Sequence, residues 1–205
     1  MSLWPIFITA PNATPKQINK ALIELDDYEY GASSSWVVVH TSEPPITPTA
    51  SIPPLAIPEL TSTTNFFAGK APQDVHAYVQ DPATRSLFSD RDLTTYHWVA
   101  IDEKGLGEET CLLAQYEEGR EPDADGEVRE FKMCRIPWAS AWSMFCNLDL
   151  ANMDFEEWVE EDVGPVEEDF GAWKWVGPFS GGSVDEEAVS KRKDRLATAE
   201  KEGYI

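Results

Sequence analysis

The sequence predicts a single α+β domain, with five or six strands in a mixed, mainly antiparallel sheet and helices on one side. Three observations lead there. The chain has 205 residues, enough for one sizeable core and too few for two typical domains. It opens with a strand–helix–strand pattern, which favours a parallel pair. Three later apolar runs of strand length are separated by short turn signals, which favours antiparallel neighbours.

Taken in order, residues 4–9 are a short, apolar, β-prone run. Thr14 is an N-cap residue and Pro15 sits at the first helical position, where a missing N–H costs nothing. Ile18, Ala21, Leu22 and Leu25 then recur at helical spacing, and Asp26, Asp27 and Gly31 close the helix. Residues 36–39 are a second, β-branched strand. Between positions 41 and 64 lie six of the fifteen prolines, with Ile46, Ile52, Leu55, Ile57 and Leu60 among them. This is a proline-rich segment with enough apolar residues to hug the domain surface.

Residues 72–79 predict a helix that Asp81-Pro82 ends, and residues 96–101 are the best candidate for a central strand. Residues 110–116 and 128–136 predict two more strands, joined by a hairpin loop that ends in Asp125-Gly126. Residues 138–145 read as a turn or short helix. Asn152 is then expected to cap a helix over 152–163, with Phe155, Trp158, Val159 and Val163 facing the core and Gly164-Pro165 stopping it. Residues 173–176 suggest an edge strand. Gly177-Pro178 and Gly181-Gly182 mark a hinge, so the domain is expected to span 1–180. Residues 181–205 form a charged helix or tail holding five of the sixteen basic residues.

Acidic residues outnumber basic ones 37 to 16, a formal charge of −21. From 101 to 170 there are 21 Asp or Glu against 5 Lys or Arg. Such a surface repels phosphate backbones and anionic lipid, which argues against a nucleic-acid or membrane partner. Cys111, Cys134 and Cys146 are odd in number and include no CxxC pair, so neither a disulfide framework nor a structural zinc site is expected. The first residues lack the basic region of a signal peptide, and no run reaches the length of a membrane span. A cytoplasmic protein is the resulting expectation.

Familiar catalytic motifs fail on inspection. Gly105-Leu-Gly107 lacks the third glycine of a dinucleotide loop and is followed by two glutamates. Gly69-Lys70 lacks the rest of a phosphate-binding loop. Asp123-Ala-Asp125-Gly126 would place Lys132 where a calcium loop needs its bidentate Glu. No metal site and no cofactor are therefore expected. His40 or His97 could meet a cysteine across the sheet as a thiol–imidazole pair, although satisfied histidines and inert thiols are the commoner outcome. Asn147, Asp149, Asn152 and Asp154 cluster around one helix start, where such side chains usually organise a turn.

Two stretches carry a resemblance: residues 147–159, NLDLANMDFEEWV, with Trp142 upstream, and the preceding strand pair YHWVAIDEKGLGEETCLLAQYEE, with VQDPATRSL before it. Together with the aromatic-glycine run at 173–177, residues 75 to 179 resemble an uncharacterised family of small proteins whose members carry an NLxxANMDFEEF segment after two strands. Trp158 stands where that family shows Phe. The resemblance implies a shared fold and packing role and brings no catalytic residue with it. The acidic-aromatic segment is also similar, over a shorter stretch, to immunity proteins of bacterial toxin systems, which implies a partner-binding module.

Two functional expectations follow. The first is an acidic binding protein that docks a basic protein partner through Glu156, Glu157, Glu160, Glu161 and the 117–130 hairpin, with Trp142, Asn147, Asn152 and Asp154 in the same region. The second is a cofactor-independent enzyme acting on a small hydrophobic ligand in a pocket walled by Trp98, Trp138, Trp142, Trp173 and Trp175. His97 or Asp149 would be its general acid or base.

Overall fold

Thr14 accepts a hydrogen bond from Gln17 N while Gln17 Oε1 accepts from Thr14 N, a reciprocal cap that starts the first helix where the sequence places it. In the computed structural model, which describes residues 2–31, 34–43, 64–117, 131–177 and 185–205, this helix α1 (Pro15–Leu25) joins β1 (Trp4–Ile8) to β2 (Trp36–Val39). The two strands pair in parallel. After them come α2 (Pro72–Gln80), α3 (Pro82–Ser89), β3 (His97–Ile101), α4 (Glu103–Glu108), β4 (Thr110–Tyr116) and β5 (Phe131–Pro137). The chain continues through α5 (Trp138–Asp149), a 3₁₀ turn at Phe155–Trp158, β6 (Pro165–Val166), a 3₁₀ turn at Glu167–Asp169, β7 (Ala172–Lys174) and α6 (Glu186–Lys201).

The described strands form one seven-stranded sheet in the order β2-β1-β3-β4-β5-β7-β6. The α+β class and the mixed sheet are as the sequence predicts, but the sheet is larger than five or six strands. It is also evenly mixed: β1 pairs in parallel with β2 and β3, and β5 with β7, while β3–β4, β4–β5 and β6–β7 are antiparallel.

Helices on one side are corrected to helices on both. Alternation along each strand sends successive side chains to opposite faces. Trp4, Ile6, Ile8, Val99, Ile101 and Leu113 pack under α1 and α5 in one cluster. Phe7, Val37, Trp98, Ala100 and Leu112 pack under α2 and α3, against Val75, Val79 and Phe88, in the other. The second cover was not legible because Pro82 reads as a stop. Asp81 instead caps a new helix, accepting from Ala83 N and Thr84 N, with Pro82 at its first position.

The expected helix over 152–163, capped by Asn152, is also corrected. The long helix in this region is α5, and a left-handed Ala151 (φ 51°) ends it. Ala151 N donates to Leu148 O and Asn152 N to Asn147 O, the paired bonds of a Schellman closure. Asn152 therefore follows one helix rather than starting another. Asp154 caps only the single turn that carries Phe155 and Trp158 inward, and Val163 lies exposed.

Helix α6 packs back on the domain. Ala188 and Ala199 are buried, Asn19 Nδ2 donates to Tyr204 O, and Arg192 donates to Ala139 O at the start of α5. The proline-rich segment from 44 to 63, most of the expected hairpin with its Asp125-Gly126 turn, and the glycine hinge from 178 to 184 lie outside the described residues.

Candidate functional site

The catalytic candidates meet in space, close enough for the Asp149 carboxylate to act on the His97 ring. His97 begins β3 and is 8% exposed, with its ring 5.6 Å from that of Phe145. Burial lowers its pKa to about 4, and the nearby Asp149 only partly opposes that. Asp149, at the end of α5, accepts from Ser2 Oγ at 2.8 Å and from Trp4 Nε1 at 3.2 Å, so it ties the N-terminal strand to the helix. No thiol–imidazole hydrogen bond exists among the described residues. Cys134 Sγ contacts Met144 Sδ, and burial raises the pKa of both Cys111 and Cys134 well above that of a reactive thiol.

His97 also makes stability depend on pH. Its folded pKa lies below the ordinary 6.5, so the unfolded chain takes up a proton first as pH falls. The contribution is complete above pH 6.5 and is lost by pH 4, a swing of about 3 kcal/mol. Glu24 and Asp26, raised by burial, act in the opposite direction, so the comparison must be made within one background. Denaturant unfolding of His97→Gln should show a shallower loss of stability over that range than the parent. Parallel curves would remove His97 as the cause.

The binding candidates divide. Asn147 Nδ2 donates to Ser143 O within α5, and Asp154 N donates to Glu157 Oε2, so these serve local structure. Glu156 pairs with Lys132, and Glu160 pairs with Lys174 at 2.5 Å. Glu161 remains exposed, next to Asp162, and no ion pair holds either of them among the described residues. Glu167 and Glu168 are likewise exposed and unpaired on the turn between β6 and β7. Exposed Val163, Phe170 and Val176 lie along the same stretch. Phe170 is held at φ 56°, a left-handed conformation rare for a bulky side chain.

That turn is fastened from below by a cluster the sequence reading missed. Arg135 on β5 donates from Nε and Nη2 to Asp169, and from Nη1 and Nη2 to Asp102. Lys104 adds a bond to Asp169 at 3.0 Å. Burial alone would raise the Asp169 pKa, but the hydrogen bonds from Arg135 and Lys104 outweigh it and bring the carboxyl below its usual range. Asp102 also caps α4 by accepting from Gly105 N, and a Cβ on Gly105 would meet Thr110 O at 2.4 Å. The near-miss glycine motif is thus explained by close packing of α4 on β4. The one sequence signal for the cluster was a charged residue within the apolar run Met133 to Ile136.

Of the five tryptophans expected to wall a pocket, Trp98 is sealed in the α2–α3 side of the core and Trp138 in the α1–α5 side, where its Nε1 donates to Thr110 O. Trp142 and Trp175 do line a cavity of about 370 Å³, joined there by Trp158, Tyr28 and Tyr30. The cavity lies between the turn after α1, the first turns of α5 and the start of α6. Asp26, Asp27, Glu29 and Asp185 are in its wall with Arg192, while His97, Asp149 and Trp173 are not.

Among the described residues no group of three or more His, Cys, Asp or Glu is arranged to hold a metal ion, and no helix is long and apolar enough to cross a membrane. Comparison with protein-family models, with curated proteins and with solved structures finds no match to this chain.

Proposed function

We propose that this chain is a cytoplasmic binding protein that docks a basic protein partner through the β6–β7 edge. One observation carries the reading: Glu161, Asp162, Glu167 and Glu168 are exposed and unpaired among the described residues, and they bracket exposed Val163 and Phe170. Carboxylates around an apolar centre are the complement of a basic surface with an apolar anchor. The Asp102–Arg135–Asp169 cluster supports this, because it fixes the turn next to Phe170 before any partner arrives. The resemblance of the acidic segment to immunity proteins of bacterial toxin systems agrees with a binding role.

The enzymatic alternative needs an acid or base in the aromatic cavity. The two residues the sequence offered for that role, His97 and Asp149, are not in that wall, which carries Asp26, Asp27, Glu29 and Asp185 instead.

The test is affinity capture with the tagged full chain from its native source, followed by native mass spectrometry. Reversing all four charges (Glu161→Lys, Asp162→Lys, Glu167→Lys, Glu168→Lys) should abolish capture of the partner. Moderate salt should also weaken it, because the contacts are solvent-exposed. Reversal of Glu186 and Glu187 on α6 should leave capture unchanged. A partner retained by the fourfold variant would sink the proposal.

A further inference from the structure

The aromatic cavity has a composition of its own, independent of the acidic edge. We infer that it is a binding site for a small alkylated ammonium ion carrying a hydrogen-bond acceptor. Four features argue for this chemistry.

The walls are aromatic. Trp142 stacks on Tyr30 with ring centroids 5.6 Å apart and planes 25° apart, and Tyr28, Trp158 and Trp175 complete the lining. Electron-rich ring faces attract a cation, most strongly when it sheds little hydration on entry, as an alkylated ammonium does.

The charge is negative. Four carboxylates face one guanidinium in the lining. Asp27 and Asp185 accept backbone N–H bonds, Asp27 from Glu29 and Tyr30, Asp185 from Glu187 and Ala188. Asp26 is different: its Oδ1 is buried without a hydrogen-bond partner. The rest of the Asp26 carboxylate is held by Asp27 and Ser34, and its bare Oδ1 gains from a cation placed beside it.

The cavity wall already receives one cation. Arg192 lies over the Tyr28 ring at 5.2 Å, while its Nη2 donates to Ala139 O and its Nε faces Glu24 at 3.6 Å. Glu24 answers that charge, and Arg195 acts on Asp26 from outside the lining, so the lining itself still holds more carboxylates than cations.

An orphan donor is present. Trp142 is 8% exposed and its Nε1 has no hydrogen-bond partner. A hydroxyl or carbonyl on the ligand would satisfy it. The volume of about 370 Å³ falls in the range of small-molecule sites.

The experiment is titration of the full chain with choline, read by tryptophan fluorescence and by calorimetry, beside the neutral tert-butyl isostere of choline. Choline should bind saturably with a dissociation constant of about 1 mM or tighter, and the isostere about tenfold more weakly. Asp26→Asn and Tyr30→Ala should each weaken choline by about threefold to tenfold while the thermal midpoint stays near that of the parent. Tyr30 is 69% exposed, so its removal tests the ring without emptying the core. Asp90→Lys, at the end of α3 on the opposite face of the sheet, should leave choline affinity unchanged. Equal binding of the neutral isostere, no saturable binding of choline up to about 10 mM, or full affinity in both cavity variants would each overturn the inference.

Discussion

Arg135→Met should destabilise the fold by about 3–5 kcal/mol, read from denaturant unfolding. The magnitude follows from what is left behind. The Arg135 side chain is 9% exposed, and its two partners, Asp102 and Asp169, are 15% and 11% exposed. Removing the guanidinium leaves two carboxylates with little access to water and one remaining cation, Lys104, which reaches only Asp169. Asp102 would still cap α4 through Gly105 N, so the secondary structure of that turn should survive. A double variant, Arg135→Met with Asp169→Asn, should recover part of the loss, because one stranded charge has been removed. An Arg135→Met protein as stable as the parent would show that the cluster contributes no net stability. Acid acts on the same cluster: Asp169, held below the usual carboxylate range, stabilises the fold above pH 3.8, and that contribution disappears as pH falls through its lower folded value.

Trp158→Ala should cost about 3–5 kcal/mol. Trp158 is 3% exposed and belongs, with Phe155 and Val159, to the cluster beneath α1 and α5. The 3₁₀ turn that carries it has only one short capping box to define it, so packing rather than helix propagation holds its geometry. Val176 N donates to Trp158 O, which links the turn to the end of β7. Loss of the indole should therefore loosen the β7 end as well, visible as faster amide exchange at Val176. Trp158→Phe should retain most of the stability, since it keeps a ring in the same place. An unchanged unfolding midpoint in Trp158→Ala would exclude a core role.

Local rules determined much of this protein from sequence alone. A capping residue, a proline at the first helical position and an apolar stripe at helical spacing are all local, so α1 forms at its expected place. The β-branched run 36–39 and the apolar run 97–101 formed strands for the same reason. The inward placement of Phe155 and Trp158 was also legible, because burial follows the side chain whichever backbone delivers it.

Tertiary structure decided the rest. Nothing local marks Ala151 as a helix end, since a left-handed residue there is expected to be glycine; in the fold, bonds from Ala151 N to Leu148 O and from Asn152 N to Asn147 O close the helix on it. The second covered sheet face depends on Asp81 restarting a helix that Pro82 could equally have ended. The bond from Arg135 to Asp169 spans 34 residues and the one to Asp102 spans 33, which no period or motif encodes. The cavity has the same origin. Its walls come from the turn after α1, from α5, from Trp158 and Trp175, and from α6, so only the folded chain brings five aromatic rings and four carboxylates to one place. Periodicity reports which side of an element is apolar; it carries no information about which distant element will cover it.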